Sequence, residues 1–306
     1  MIVLEQVTVQ RQGVIALNHF THTIHPGQSV AVIGPTGSGK TTLLEAIATL
    51  LPIQSGNISF ADFASTTDSP RAEQLIGFVP HCITTWPMIR ADECLKLFAI
   101  ESGIPAKEIN AAVNRVLEEV SLTNLRGHRI DTFSSGQSKR LLIARALLGE
   151  PHILLLDNPY AGLDPDGYQV IDRLIANAQL TGRIILAAFN DANVPETFTD
   201  LLVLNDGQKV IAGRFQPEFF TEVNQWKVRL KCPSSASQAA KAISHLTLSS
   251  TIVDEDFLIC DVSTDRGPID EAIAILIKSD CPLESCTYDP PWPAQVLNSL
   301  TEDEPV

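Results

Sequence analysis

The sequence predicts an α/β protein with a phosphate-binding loop, followed by a smaller α+β unit, and three observations carry that prediction. Short apolar runs at residues 29–33, 75–79, 153–157 and 183–189 read as buried strands separated by helical patterns. The first of these runs leads straight into a glycine-rich loop, at the strand end where open α/β sheets bind ligands. Beyond residue 225 the pattern changes to β-α-β-β-α-β, the order of a small ferredoxin-like domain.

Composition sets the outer bounds. The 306 residues suffice for one full domain and a smaller one, and 44% hydrophobic with 19% charged residues is ordinary for a globular chain. A net charge of −14 argues against nucleic acid as a partner, because phosphate backbones need clustered Lys and Arg. No apolar run approaches the ~18 residues of a membrane span. The start Met1-Ile2-Val3-Leu4-Glu5 lacks the basic, then apolar, pattern of a signal peptide, so a membrane role is expected to come through a partner. The six cysteines show no zinc or CxxC spacing and are expected to be free thiols.

In chain order, residues 2–9 and 14–24 alternate apolar and polar around Gln12-Gly13, which predicts an antiparallel hairpin. The strand 29–33 then opens into Gly34-Pro35-Thr36-Gly37-Ser38-Gly39-Lys40-Thr41-Thr42, a complete GxxxxGK[ST] loop. Its glycines let backbone N–H groups converge on phosphate, Lys40 reaches the outer phosphates, and the Thr41 hydroxyl suits Mg²⁺. A helix follows from Thr42 to about Leu51, its N-terminal dipole favouring the same anion. A strand is expected at 56–60, a polar loop at 61–74, and a strand at 75–79 ended by Pro80-His81. From Ala91 to about Leu122 the period becomes helical, with a break at Gly103-Ile104-Pro105; Ile109, Val113, Val116, Leu117 and Val120 share one face.

Phe133-Ser134-Ser135-Gly136-Gln137 then leads into a helix over Leu141–Leu148, and taken alone it reads as a capped helix start. The strand 153–157 delivers Asp157 to its carboxyl end, where an acid suits Mg²⁺. The neutral amide of Asn158, next in line, cannot take a proton from water. Ala161-Gly162-Leu163-Asp164 turns into a helix over 166–179, the strand 183–189 ends at Asn190-Asp191, and residues 201–212 form a hairpin about Asn205-Asp206-Gly207.

Together, the phosphate loop, the Ser-Ser-Gly-Gln helix start, the apolar strand ending in Asp and the Gly-Leu-Asp turn resemble the nucleotide-binding subunit of an ABC transporter, over about residues 1–215. The resemblance implies a P-loop NTPase core of ABC type with an antiparallel β subdomain and a helical subdomain near 82–150. It implies ATP and Mg²⁺ as ligands, with residues 34–42 as the Walker A loop, and Thr41 and Asp157 at the metal. Ser134, Ser135, Gly136 and Gln137 would be the signature that meets a partner's ATP, and Asp164 would belong to the D-loop. Members pair head to tail and act through membrane permease subunits, so the chain is expected to be cytoplasmic and peripheral at the inner face of the cell membrane. Residues 81–88 and the stretch 91–122 would meet those subunits.

The departures fall on one half of the site. His81 stands where the family has Gln, Asn158 where it has the catalytic Glu, and Asn190 where it has the switch His. The aromatic that stacks on adenine is absent near Arg11 and Gln12, leaving Arg11 to stack by cation–π. The signature keeps its Ser, Gly and Gln. The expectation is an impaired site of its own and an intact signature serving a second ABC ATPase, a heterodimer rather than a homodimer.

Residues 216–224 read as a linker, 225–289 as the small α+β domain and 290–306 as an extended tail. The domain resembles the C-terminal extension of ABC-2 exporter ATPases and suggests dimer stabilisation or regulation. Two other readings stand beside transport: a regulatory or structural ABC subunit without transport chemistry of its own, and a soluble ABC ATPase acting away from membranes.

Overall fold

The computed structural model describes residues 1–60, 65–66, 74–81, 88–190, 194–215, 226–231, 236–244, 249–252, 257–262, 272–273, 275–276 and 285–289. The chain divides into two compact units, Met1–Phe215 and Gln216–Val306. The expected linker, the extended tail and most of the permease-facing stretch 81–88 lie outside the described residues.

In the first unit, β1 (Ile2–Arg11) and β2 (Val14–Ile24) form the expected antiparallel hairpin, and β4 (Ser55–Phe60) and β5 (Ser65–Thr66) extend it in the order β2-β1-β4-β5. The second sheet runs β10-β9-β3-β8-β7-β6. It comprises β3 (Ser29–Ile33), β6 (Ile76–Val79), β7 (Ile153–Asp157), β8 (Ile184–Ala188), β9 (Asp200–Asn205) and β10 (Gln208–Arg214). The five strands from β9 to β6 are parallel, and β10 turns back antiparallel at the edge. Every residue of β3, β7 and β8 is buried, as continuous apolar runs between two covered faces require.

Helix α1 (Lys40–Ile47) packs on β2, β7 and β8, so the antiparallel sheet and the parallel sheet share one core. Helices α2 (Ala91–Glu101) and α3 (Ile109–Glu119) pair with each other and with α4 (Ser135–Leu147), which also lies against β6. Val113, Val116, Leu117 and Val120 are buried, as the period of α3 predicts. Helix α5 (Pro165–Thr181) buries Val170, Ile171, Leu174, Ile175 and Ala178 and packs on β3 and β8.

Both ends of α1 differ from expectation, each for a local reason. Helix α1 starts two residues early, at Lys40, because Gly39 takes the left-handed conformation as its N-cap. It stops at Ile47 because Thr49 turns left-handed at φ 63° and Leu50 N–H closes on the Glu45 carbonyl at 2.9 Å. Helix α4 begins at Ser135, at the expected capped start, where the Ser134 hydroxyl accepts from Gln137 N–H and the Gln137 side chain accepts from Ser134 N–H. The expected 61–74 loop also contributes the short β5.

The second unit has a four-stranded antiparallel sheet, β12 (Ser249–Ile252), β13 (Phe257–Val262), β11 (Trp226–Lys231) and β14 (Ser285–Asp289), in that spatial order. Helix α6 (Ala236–Ala242) and helical residues between β13 and β14 complete the ferredoxin-like order. Its core gathers Leu230, Ala239, Ile243, Leu258, Cys260, Ala272 and Leu276.

Leu155 is fully buried at the centre of β7. Leu155→Ala is expected to lower unfolding free energy by ~2–5 kcal/mol in urea titration. On β2, burial pushes the His22 imidazole down to about 4, with Lys209 and His25 adding to burial and Asp200 opposing it. The unfolded chain therefore takes up this proton first, near the ordinary ~6.5, so stability falls as pH drops from ~6.5 towards 4. His22→Gln is expected to show a smaller loss of urea midpoint than the native chain across that window.

Candidate functional site

Four strand ends in a row define the site. The spatial order β3-β8-β7-β6 sets the glycine loop, Asn190, Asp157-Asn158 and His81 side by side at the carboxyl edge of one sheet. A buried strand reaches that edge fully extended, so the residue following it is the first free to face a ligand.

The loop is braced from behind. Ser38 N–H closes a turn on the Pro35 carbonyl at 3.1 Å, and Gly207 N–H, from the β9–β10 turn, donates to the Ser38 carbonyl at 3.1 Å. At Gly39, φ is +102° and a Cβ would lie 2.5 Å from the Ala16 carbonyl oxygen, so no side chain fits. Lys40 is buried, and its ammonium curls over the loop to donate to the Gly34 and Pro35 carbonyls, both at 2.8 Å. Burial lowers its pKa, and the Asp157 carboxylate opposes that shift. Pro35, Thr36 and Gly37 form the rim of the loop, while Thr42 is buried in the first turn of α1.

The Thr41 hydroxyl donates to Asp157 Oδ2 at 3.0 Å. The two residues expected at Mg²⁺ are thus already in contact, an all-oxygen pair of the kind this ion prefers. Ser38 Oγ is buried without a hydrogen-bond partner among the described residues, an acceptor and donor left for something the loop would enclose. The loop and the Thr41–Asp157 pair therefore fit a Mg²⁺-nucleotide, whose phosphates Lys40 would face and whose metal the two oxygens would hold.

On the other half, His81 and Asn190 are exposed at the ends of β6 and β8. Asn158 sits at φ 48°, its N–H bonded to the Ala188 carbonyl at 2.9 Å. Asn and Asp enter this left-handed region more readily than longer side chains. Arg11, at the end of β1, pairs with Glu45 of α1 at 2.8 Å, which fixes its guanidinium beside the loop's helix while leaving it half exposed.

The signature segment is a capped helix start, and it is tied to the Gly-Leu-Asp turn. A Cβ on Gly136 would fall 2.8 Å from Asp164 N, so glycine alone permits this approach. Ser135 Oγ reaches the Gly162 carbonyl at 3.4 Å. Asp164 accepts from Gly167 N–H at 3.0 Å as the N-cap of α5, and from Arg140 at 2.8 Å. The nearly buried Arg140 also donates to the Val120 and Ser121 carbonyls at 3.1 and 2.9 Å.

Sequence reasoning missed three features. Lys139 and Arg140 belong to residue types rarely found fully buried, yet both are buried. Glu45 gives no sign in the sequence of reaching across to Arg11. Tyr160 donates its hydroxyl to Asp172 at 2.7 Å, with Thr197 bonded to the same oxygen, and stacks near Phe189 with ring centres 6.1 Å apart. Phe189 immediately precedes Asn190, so this phenol ties the turn after Asn158 to the strand end beside it. Burial, then the Asp172 bond, raises the Tyr160 pKa and keeps it a donor. Tyr160→Phe is expected to cost ~1 kcal/mol in urea titration, since the half-buried Asp172 carboxylate loses its bond.

Comparison with known proteins converges on one family. A family model described as ABC transporter matches residues 17–161. The linearmycin resistance ATP-binding protein LnrL of Bacillus subtilis is 30% identical over 192 residues, covering 62% of each chain. The Nod factor export ATP-binding protein I of Cupriavidus pinatubonensis is 28% identical over 212 residues, 69% of this chain and 65% of that one. The match spans less than two thirds of either relative. Among solved structures, the dimeric post-hydrolysis state of an ATP-binding cassette bound to ADP and Pi superposes with a TM-score of 0.63 at 26% identity, covering 71% of this chain and 99% of that one. The cbiO1 protein of Clostridium perfringens, part of the ABC transporter complex cbiONQ, gives 0.62 at 28% identity over 72% of this chain and 90% of that one.

Proposed function

We propose, from the premise that this chain carries an ABC transporter ATP-binding domain, that it is the ATP-binding subunit of a transporter whose hydrolysis occurs mainly at a partner's site. Residues 34–42 hold MgATP, with Lys40 at the phosphates and Thr41 and Asp157 at the metal. Arg11 offers its guanidinium face to the base. A second ABC ATPase receives Ser134, Ser135, Gly136 and Gln137 at its own nucleotide, and separate membrane permease subunits carry the transport path.

The observation that carries this reading is the division of the site. The binding half is assembled, with Lys40 over the loop and Thr41 on Asp157. The half that would activate water has an amide at 158, an amide at 190 and an imidazole at 81. Loss of a general base costs ~10²–10⁴-fold in rate. A neutral Asn158 also removes a negative charge from the neighbourhood of the γ-phosphate, which favours a long-lived ATP-bound state. That loss on one side, with an intact signature on the other, favours a heterodimer. The dimeric cassette among the solved structures supports pairing, and the relative named for Nod factor export supports an export role. No helix among the described residues is long and apolar enough to cross a membrane, which fits a subunit acting through separate permeases.

The test uses the full chain. It is expected to bind MgATP by calorimetry, to lose binding in Lys40→Ala, and to turn over at least ~10²-fold below the ~1 s⁻¹ of an ordinary enzyme. Restoring an acid by Asn158→Asp, the substitution its backbone admits most easily, or by Asn158→Glu should raise turnover. Hydrolysis at ~1 s⁻¹ that disappears with Lys40→Ala would refute the reading. Co-purification with a permease and a second ATPase is the expected result in detergent extracts, against a purely cytosolic complex.

A further inference from the structure

Lys139 is 1% exposed, inside α4 and one helical turn beyond Gly136. Its ammonium donates to the Pro80 carbonyl at 2.9 Å and to the Asp157 carbonyl at 3.3 Å. The first lies one residue past β6 and the second ends β7, immediately before His81 and Asn158 respectively. One buried cation thus clamps together the two strand ends that flank the unusual half of the nucleotide site. The clamp arm is short and stiff: three residues of helix, ~4.5 Å of rise, separate it from Gly136 at the start of α4. Bonds from a charged donor are the strong kind. A shift of the Asp157 peptide must therefore move Lys139 or lose that bond, and moving Lys139 moves the start of α4.

We infer that Lys139 is a positioning residue that couples occupancy of this chain's own nucleotide loop to the presentation of Ser134–Gln137, the helix start offered to a partner's nucleotide. The inference rests on the functional reading above. Nucleotide and metal on the Thr41–Asp157 edge set the position of the Asp157 peptide, and Lys139 carries that setting across to α4. The role is distinct from that of Arg140. The guanidinium of Arg140 grips Asp164 and the end of α3, and so braces α4 against the Gly-Leu-Asp turn rather than against the nucleotide.

Hydrogen exchange of the full chain, with and without MgATP, reads the coupling directly. In the native chain ATP is expected to slow exchange of the amides of residues 135–141 by about 5-fold or more. Lys139→Met, which keeps the volume and removes the donor, should bind ATP as the native chain does yet lose that slowing. Lys139→Gln, too short to reach both carbonyls, should lose at least half of it. Native-like slowing in a folded Lys139→Met overturns the inference. Where Lys139→Met does not fold, native-like slowing in Lys139→Gln overturns it. A native chain that binds ATP without slowing at 135–141 also overturns it and leaves the functional reading standing. A native chain that fails to bind ATP overturns both.

Discussion

The bond between the Thr41 hydroxyl and the Asp157 carboxylate is the constraint on which the site depends. It joins the first turn of α1 to the end of β7, two elements whose residues are otherwise nearly all buried. Asp157 and Lys40 are each about 5% exposed, so a carboxylate and an ammonium have left water within one loop. Removing charges from water is expensive unless each finds compensation, and here compensation comes from carbonyl oxygens, a hydroxyl and mutual attraction. The lowered pKa of Lys40 records what burial still takes from the charged form. A site already desolvated in this way gains from a ligand that brings its own compensating charges, as a polyphosphate with a divalent cation does.

The same edge separates holding from cutting. Everything proposed to grip phosphate or metal is supplied by the loop after β3, by α1 and by the end of β7, where backbone geometry leaves little freedom. What would act on water is supplied by single residues just past β6, β7 and β8, where a side chain can change without disturbing the sheet. Asn158 shows this most clearly. Its backbone is held at φ 48° by the Ala188 carbonyl, a conformation set by the turn into residues 159–164 rather than by the chemistry of the side chain. Position 158 can therefore carry an amide or an acid while the fold around Asp157 stays the same. Binding and hydrolysis become separable properties of one sheet edge.

Much of this was legible in the residues because its physics is local. Consecutive apolar residues announce β3, β7 and β8, and a strand passing into Gly-x-x-x-x-Gly-Lys-Thr announces the loop, since few other residue types permit that path. The amphipathic face of α3 emerged from spacing alone, as did the β-α-β-β-α-β order of the second unit. What was not legible depends on contacts distant in sequence. The capped start of α4 was legible in Ser134-Ser135-Gly136-Gln137, but the reciprocal bond between Ser134 and Gln137 that closes it is not something apolar periodicity registers. Lys139, Arg140 and the Arg11–Glu45 pair were invisible for the opposite reason: charged residues read as solvated until the tertiary fold supplies their partners.

Those two buried cations define how α4 is held. Neighbours on a helix point about 100° apart, so Lys139 and Arg140 reach different elements from the same turn. One reaches the strand ends at 80 and 157, the other reaches Asp164 and the carbonyls at 120 and 121. Long flexible side chains lose substantial entropy when fixed, and both charges lie where water would otherwise solvate them. An apolar pair would hold a helix against a sheet with less opposing cost. What apolar contacts do not provide is direction: carbonyl oxygens at defined positions accept from an ammonium or a guanidinium only over a narrow range of geometry. The orientation of Ser134–Gln137 is thereby referred both to the nucleotide strand ends and to the Gly-Leu-Asp turn. A helix start fixed on two sides in this way is stiff enough to pass on small displacements of either neighbour, which a loosely packed helix would absorb.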